Sequence, residues 1–84
     1  MEKTLYSDNY TRLRLWLRDQ RHKKNITMKE LATRLDVIHS WVGKVELGER
    51  RLDIVEYIHY CNALDIDPSE GINLIQSEKK KGVH

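Results

Sequence analysis

Residues 26–52, ITMKELATRLDVIHSWVGKVELGERRL, decide how the chain folds. Thr27 and Glu30 have the spacing of a capping box, in which the threonine hydroxyl accepts from the amide three residues on and the glutamate reaches back, so a helix starts there. Leu31, Ala32 and Leu35 follow at three- and four-residue steps and form its buried side. Asp36 stands where the chain must turn sharply, and Val37 is the apolar residue able to plug the angle between this helix and the next. The next helix is expected from about His39 to Leu47, burying Val42 and Val45, until Gly48 stops it in the left-handed region. Two short helices joined by a tight turn, over about residues 27–47, are thus the centre of the fold.

Upstream, a first helix is expected from Ser7 or Asp8 to about Lys23, with Leu13, Trp16, Leu17 and Gln20 on its inner stripe and Arg12, Arg14 and Arg18 outside. Asn25, which tolerates the left-handed conformation, ends it. Downstream, Glu49, Arg50 and Arg51 form a short loop, and Asp53 with Glu56 repeats the cap-plus-three spacing. The helix they open takes its apolar surface from Ile54, Val55, Ile58 and Cys61, with Leu64 as a further candidate. Asp67 at the cap, Pro68 at the first helical position and Glu70 open a last helix with Ile72, Leu74 and Ile75, in which Gly71 costs about 1 kcal/mol relative to alanine. With one proline and no phenylalanine, aliphatic, Trp and Tyr side chains must build the core. The expected architecture is all-α, a compact five-helix bundle. It forms one domain over residues 1–78, followed by a flexible basic tail at 79–84 that contains Lys79, Lys80, Lys81 and Gly82.

Eighty-four residues make a single domain near the small end of what folds without staples, so no separate sensing domain is expected. The single cysteine excludes an intramolecular disulfide and fits a reducing compartment. The first eleven residues mix charges with isolated apolar positions, unlike a signal peptide, and no apolar run is long enough to span a bilayer, so a cytoplasmic chain with no membrane partner is expected. His22, His39, His59, His84 and Cys61 lack zinc-ligand spacing, and His59 and Cys61, two apart on a helix, face different ways. Neither a nucleophile with a base nor a phosphate loop is present, so no enzyme, metal or cofactor is expected. The net charge of +2 conceals a strong asymmetry. Residues 12–51 hold eleven Lys or Arg against five Asp or Glu, whereas residues 52–78 hold six acids and no Lys or Arg. That polarity is expected of a chain with one face turned to phosphate.

Thr27, Leu31, Ala32, Val37, Ser40, Trp41, Val42, Lys44, Val45, Glu46, Gly48, Arg50 and Arg51, in that order, resemble the DNA-binding core of the Xre-type regulators, the family of the lambda-like phage repressors and Cro. Flanking helices extend the likeness from about Leu13 to Ile75. The resemblance implies a lambda-repressor-like helix-turn-helix domain whose second helix crosses the DNA backbone while the third enters the major groove. It also implies an internal ion pair between Arg21 and Glu46 that orients the third helix. His39, Ser40 and Lys44, on the exposed side of that helix, are the candidates for reading base edges, with Gly43 allowing close approach. Thr27, Met28, Lys29, Arg50 and Arg51 flank the groove and are candidates for the DNA backbone, while Trp41 is a half-buried packing residue. Three departures alter the usual base-reading scheme: Met28 where glutamine often opens the second helix, Ile38 where serine often caps the third, and Gly43 where serine is common.

Two functions follow from that resemblance. The first is a sequence-specific transcriptional regulator, a repressor that binds double-stranded DNA as a homodimer on a palindromic operator, with Tyr60, Ile72, Leu74 and Ile75 as the candidate interface. The alternative is a protein-binding module such as the antitoxin of a toxin pair, for which DNA is secondary; Gly43, Ile38 and the acidic C-terminal half favour it.

Overall fold

A computed structural model describes the backbone of residues 2–83 and the side chains of residues 8–76. The chain forms five helices, α1 (Glu2–Lys23), α2 (Met28–Leu35), α3 (His39–Leu47), α4 (Ile54–Leu64) and α5 (Pro68–Val83), with no strand among the described residues. Both capping boxes form: Thr27 with Glu30 opens α2, and Asp53 with Glu56 opens α4, each side chain accepting from the other residue's amide. The α2 to α3 turn is made by Asp36 at φ 58°, after which the Val37 amide donates back to the Ala32 carbonyl. Asn25, Asp65 and Gly48 adopt the same left-handed conformation after α1, α4 and α3. The first four helices therefore each end on a residue that tolerates positive φ.

The core comprises Leu17 from α1, Ile26, Leu31 and Ala32 from α2 and its approach, Val42 and Val45 from α3, and Tyr57, Tyr60, Cys61 and Leu64 from α4. Val37 and Trp41 pack against its edge. Around it α2 lies on α3 and α4, and α1 runs beneath α3, α4 and α5.

Three expectations need correction. α1 begins at Glu2 rather than Ser7 or Asp8, because a cap-type side chain starts a helix only where the preceding residues leave it, and nothing before Ser7 is Gly or Pro. The buried stripe of α4 is Tyr57, Tyr60, Cys61 and Leu64, while Ile54 and Val55 are 64% and 60% exposed. The two tyrosines set the phase, since an aromatic ring buries more area than an aliphatic side chain at the end of the helix. Gly71 is also more than a weak point in α5. It is buried, and a Cβ there would lie 2.8 Å from both Leu13 and Trp16 and closer still to the Tyr57 hydroxyl, so glycine is what lets α5 close on α1 and α4. The expected tail at 79–84 lies outside the residues whose side chains are described.

Candidate nucleic-acid interface

α3 carries the candidate readers. His39, Ser40 and Lys44 are exposed, and Gly43 is half-exposed with nothing within 4 Å of where a Cβ would stand. The steps between positions 39, 40, 43 and 44 place them on one face of the helix, opposite the buried Val42 and Val45. Lys44 makes no ion pair among the described residues, so its ammonium is free for an outside acceptor. Ile38, at the cap position, makes no side-chain hydrogen bond to the helix start.

The last turn of α3 is fastened to α1. Arg21, only 8% exposed, donates from Nε to Oε2 of Glu46 at 2.6 Å and from Nη2 to Oε1 at 2.9 Å, and its Nη1 donates to the Ile26 carbonyl at 2.8 Å. A two-pronged contact of this kind fixes direction as well as distance. Arg14, expected on an outward face, is half-buried and donates to the Glu46 main-chain carbonyl. The spacing signal for this was available: residues 14 and 21 lie two helical turns apart and so share a side of α1.

Thr27 and Lys29 are exposed at the start of α2, whereas the Met28 side chain packs on the core and leaves only its amide for an outside acceptor. The first amides of a helix have no intrahelical partner. In the loop after α3, Arg51 is exposed and its guanidinium lies 4.6 Å from the Tyr10 ring centre. Arg50 is less available than expected. It lies 5.0 Å over the Trp41 ring, pairs with Glu56 at 2.6 Å and donates to the Arg51 carbonyl, so its guanidinium is committed within the molecule. Glu56 serves both the α4 capping box and this arginine.

Among the proposed interface residues, Tyr60 is corrected: it is 1% exposed and tilts against Trp41 at 6.3 Å between ring centres, so it faces the core of its own chain. Its hydroxyl is buried without a hydrogen-bond partner among the described residues. Ile72 is 44% exposed, and Leu74 and Ile75 are half-buried. Burial pushes the Tyr60 phenol up from its ordinary pKa, with the Glu46 carboxylate adding to the shift. Burial does the same to the Tyr57 phenol, which donates to the Pro68 carbonyl, and to the Cys61 thiol beside it. A thiol held in its protonated form is a poor nucleophile. Among the described residues no group of His, Cys, Asp and Glu could hold a metal ion, and no helix is long and apolar enough to cross a membrane.

Comparison with protein-family models and with curated proteins gives no match. Solved structures do match. An XRE-family like protein from Pseudomonas syringae pv. tomato str. DC3000 superposes with a TM-score of 0.87 at 35% sequence identity, covering 92% of this chain and 94% of that one. The restriction-modification controller protein C.AhdI from Aeromonas hydrophila superposes with a TM-score of 0.68 at 33% identity, covering 79% of this chain and 98% of that one. Identity and coverage at this level agree with the turn, the paired Arg21 and Glu46 and the open face of α3: the chain belongs to the XRE family of helix-turn-helix DNA-binding regulators.

Proposed function

We propose that this chain is a transcriptional repressor that binds a palindromic operator in the cytoplasm as a homodimer, each protomer laying α3 in the major groove. The observation that carries the reading is the contrast within α3: its last turn is locked to α1 by Arg21 through Glu46, and its exposed face presents His39, Ser40, Gly43 and Lys44 to solvent. Histidine and serine can donate to or accept from base edges, and lysine suits the O6 and N7 acceptors of guanine. The α2 amides, Thr27, Lys29 and Arg51 would take phosphate on either side, with Arg50 bracing the loop from within. The controller role of the C.AhdI neighbour supports a function without catalysis. Neither reading requires a cofactor.

A homodimer follows from the small footprint of one module, since related half-sites lie about one helical turn apart. Ile72 with Leu74 and Ile75 is the first candidate interface, and the exposed Ile54 and Val55 at the start of α4 are the rival. Selecting bound sequences from random DNA tests the function: a palindromic motif occupied by two protomers is expected, and recovery of no motif overturns it. Ile72→Glu and Val55→Glu then assign the interface according to which one yields a monomer.

A protein-binding role is favoured by one observation. Ile38 and Leu47, at the two ends of α3, are 72% and 71% exposed, more apolar surface than groove readout calls for. A stable complex with a co-expressed chain that Leu47→Glu abolishes, with no selected DNA motif, would make that reading the better one.

A further inference from the structure

Tyr10, Arg14, Leu17 and Arg21 follow one another along α1 at steps of four, three and four, and so form one stripe. Leu17 is buried in the core, and the three polar members each hold part of the recognition unit. The Tyr10 hydroxyl accepts from the Leu52 amide at 3.1 Å while its ring lies under Arg51. Arg14 donates to the Glu46 carbonyl, and Arg21 grips the Glu46 carboxylate.

We infer that Arg14 is a positioning residue for DNA reading, the second point of a two-point tether that sets the roll and tilt of α3 in the groove. The inference rests on the reading that α3 meets DNA. A helix leaves its last carbonyls without intrahelical partners. Here the Lys44 carbonyl accepts from the Glu49 and Arg50 amides, the Val45 carbonyl from the Gly48 amide, and the Glu46 carbonyl from Arg14. The Arg14 guanidinium also lies over the left-handed turn at Gly48, where a Cβ would come within 3.1 Å of its Nε. Arg21 fixes the Glu46 carboxylate, which rotatable bonds separate from the α3 backbone. Arg14 holds the backbone itself, and a cation at that end also complements the helix dipole. Base readout demands placement of the reading side chains to within about 0.5 Å, so losing the backbone contact should cost selectivity before it costs affinity.

The test is Arg14→Met, which keeps an apolar stem over Gly48 and removes the donor. Two quantities are measured: the ratio of affinity for the selected site to affinity for scrambled DNA at fixed salt, and amide exchange at Gly48, Glu49 and Arg50 without DNA. The ratio is expected to fall about tenfold, with affinity for scrambled DNA retained and exchange at those amides accelerated. An unchanged ratio, or equal losses on both DNAs with exchange unaltered, overturns the inference, the second result marking Arg14 as a phosphate contact. Arg14→Gln, with a shorter reach and no charge, serves the same comparison if the methionine variant does not fold, and the same fall is expected. If the parent chain itself shows no selectivity, the regulator reading fails, and the tether is decided on amide exchange alone: acceleration upholds it and unaltered exchange overturns it.

Discussion

Glu46 is the residue through which α1 controls α3, because its carboxylate faces Arg21 and its carbonyl faces Arg14. Glu46→Ala removes only the first contact and leaves the nearly buried Arg21 with the Ile26 carbonyl as its remaining strong acceptor. Loss of one partner of a buried ion pair exposes the desolvation cost of the other, so stability in urea without DNA should fall by about 3 kcal/mol. An unchanged denaturation midpoint would mean the pair contributes nothing to the fold. Gly43 gives a prediction of opposite sign. Nothing inside the molecule needs the missing side chain, since the space around it is open. Gly43→Ala should therefore raise stability by about 1 kcal/mol through helix propensity, and it should weaken binding to the selected DNA if the α3 backbone approaches the groove closely there. Greater stability with unaltered DNA affinity would show that the close approach does not occur at this position.

The ends of α3 and α4 are met by cations from elsewhere in the chain. Arg14 meets the end of α3, and α4, which has no basic residue in its last turn, receives Arg34 on the Ala63 carbonyl at 2.9 Å and Lys24 on the Asp65 carbonyl at 2.7 Å. The bounds of α2, the start of α4 and the stop of α3 were legible in the sequence because caps and left-handed residues are local signals. The phase of α4 was not. Ile54 and Val55 look like core by composition, and only the competition with Tyr57 and Tyr60 for the same interior turns them outward. Gly71 was likewise read from propensity, whereas packing decides it: Gly71→Ala should lower the thermal midpoint despite alanine's better propensity, because the added methyl meets Leu13, Trp16 and Tyr57. A higher midpoint would show that α5 can shift to make room. α4 also sets the response to alkali. Tyr57, Tyr60 and Cys61 all have pKa values raised by burial, so the folded chain keeps protons that the unfolded chain releases. Their contribution to stability is complete below about pH 8.5 and is lost progressively above it, as the free thiol and then, near pH 10, the free phenols ionise. A denaturation midpoint that held steady from pH 8 to pH 10.5 would contradict this.

Across the whole molecule, the charge asymmetry agrees with membership of a DNA-binding family, but much of the positive charge has internal work. Arg14, Arg21, Lys24, Arg34 and Arg50 are each engaged with a carbonyl or carboxylate of the same chain. Charge counting cannot separate these from cations facing outward, because that depends on how α1 and α2 lie against the ends of α3 and α4. Lys29 and Lys44 remain exposed with no ion partner among the described residues. The exposed face of α3 was legible from the turn and from residue spacing, whereas Tyr60 was misplaced as an interface residue because its position on α4 depended on the unread phase. The central claim is that α3 reads DNA, and Lys44 tests it most directly, since it is exposed on that helix and has no structural role to confuse the result. Affinities of the parent and of Lys44→Ala are compared on the selected site and on scrambled DNA at one salt concentration. A base contact predicts a loss of about 1–3 kcal/mol on the selected site, relaxed preference at one symmetric pair of positions, and nearly unchanged affinity for scrambled DNA. Equal binding of both proteins to both DNAs, with selectivity intact, would contradict the account.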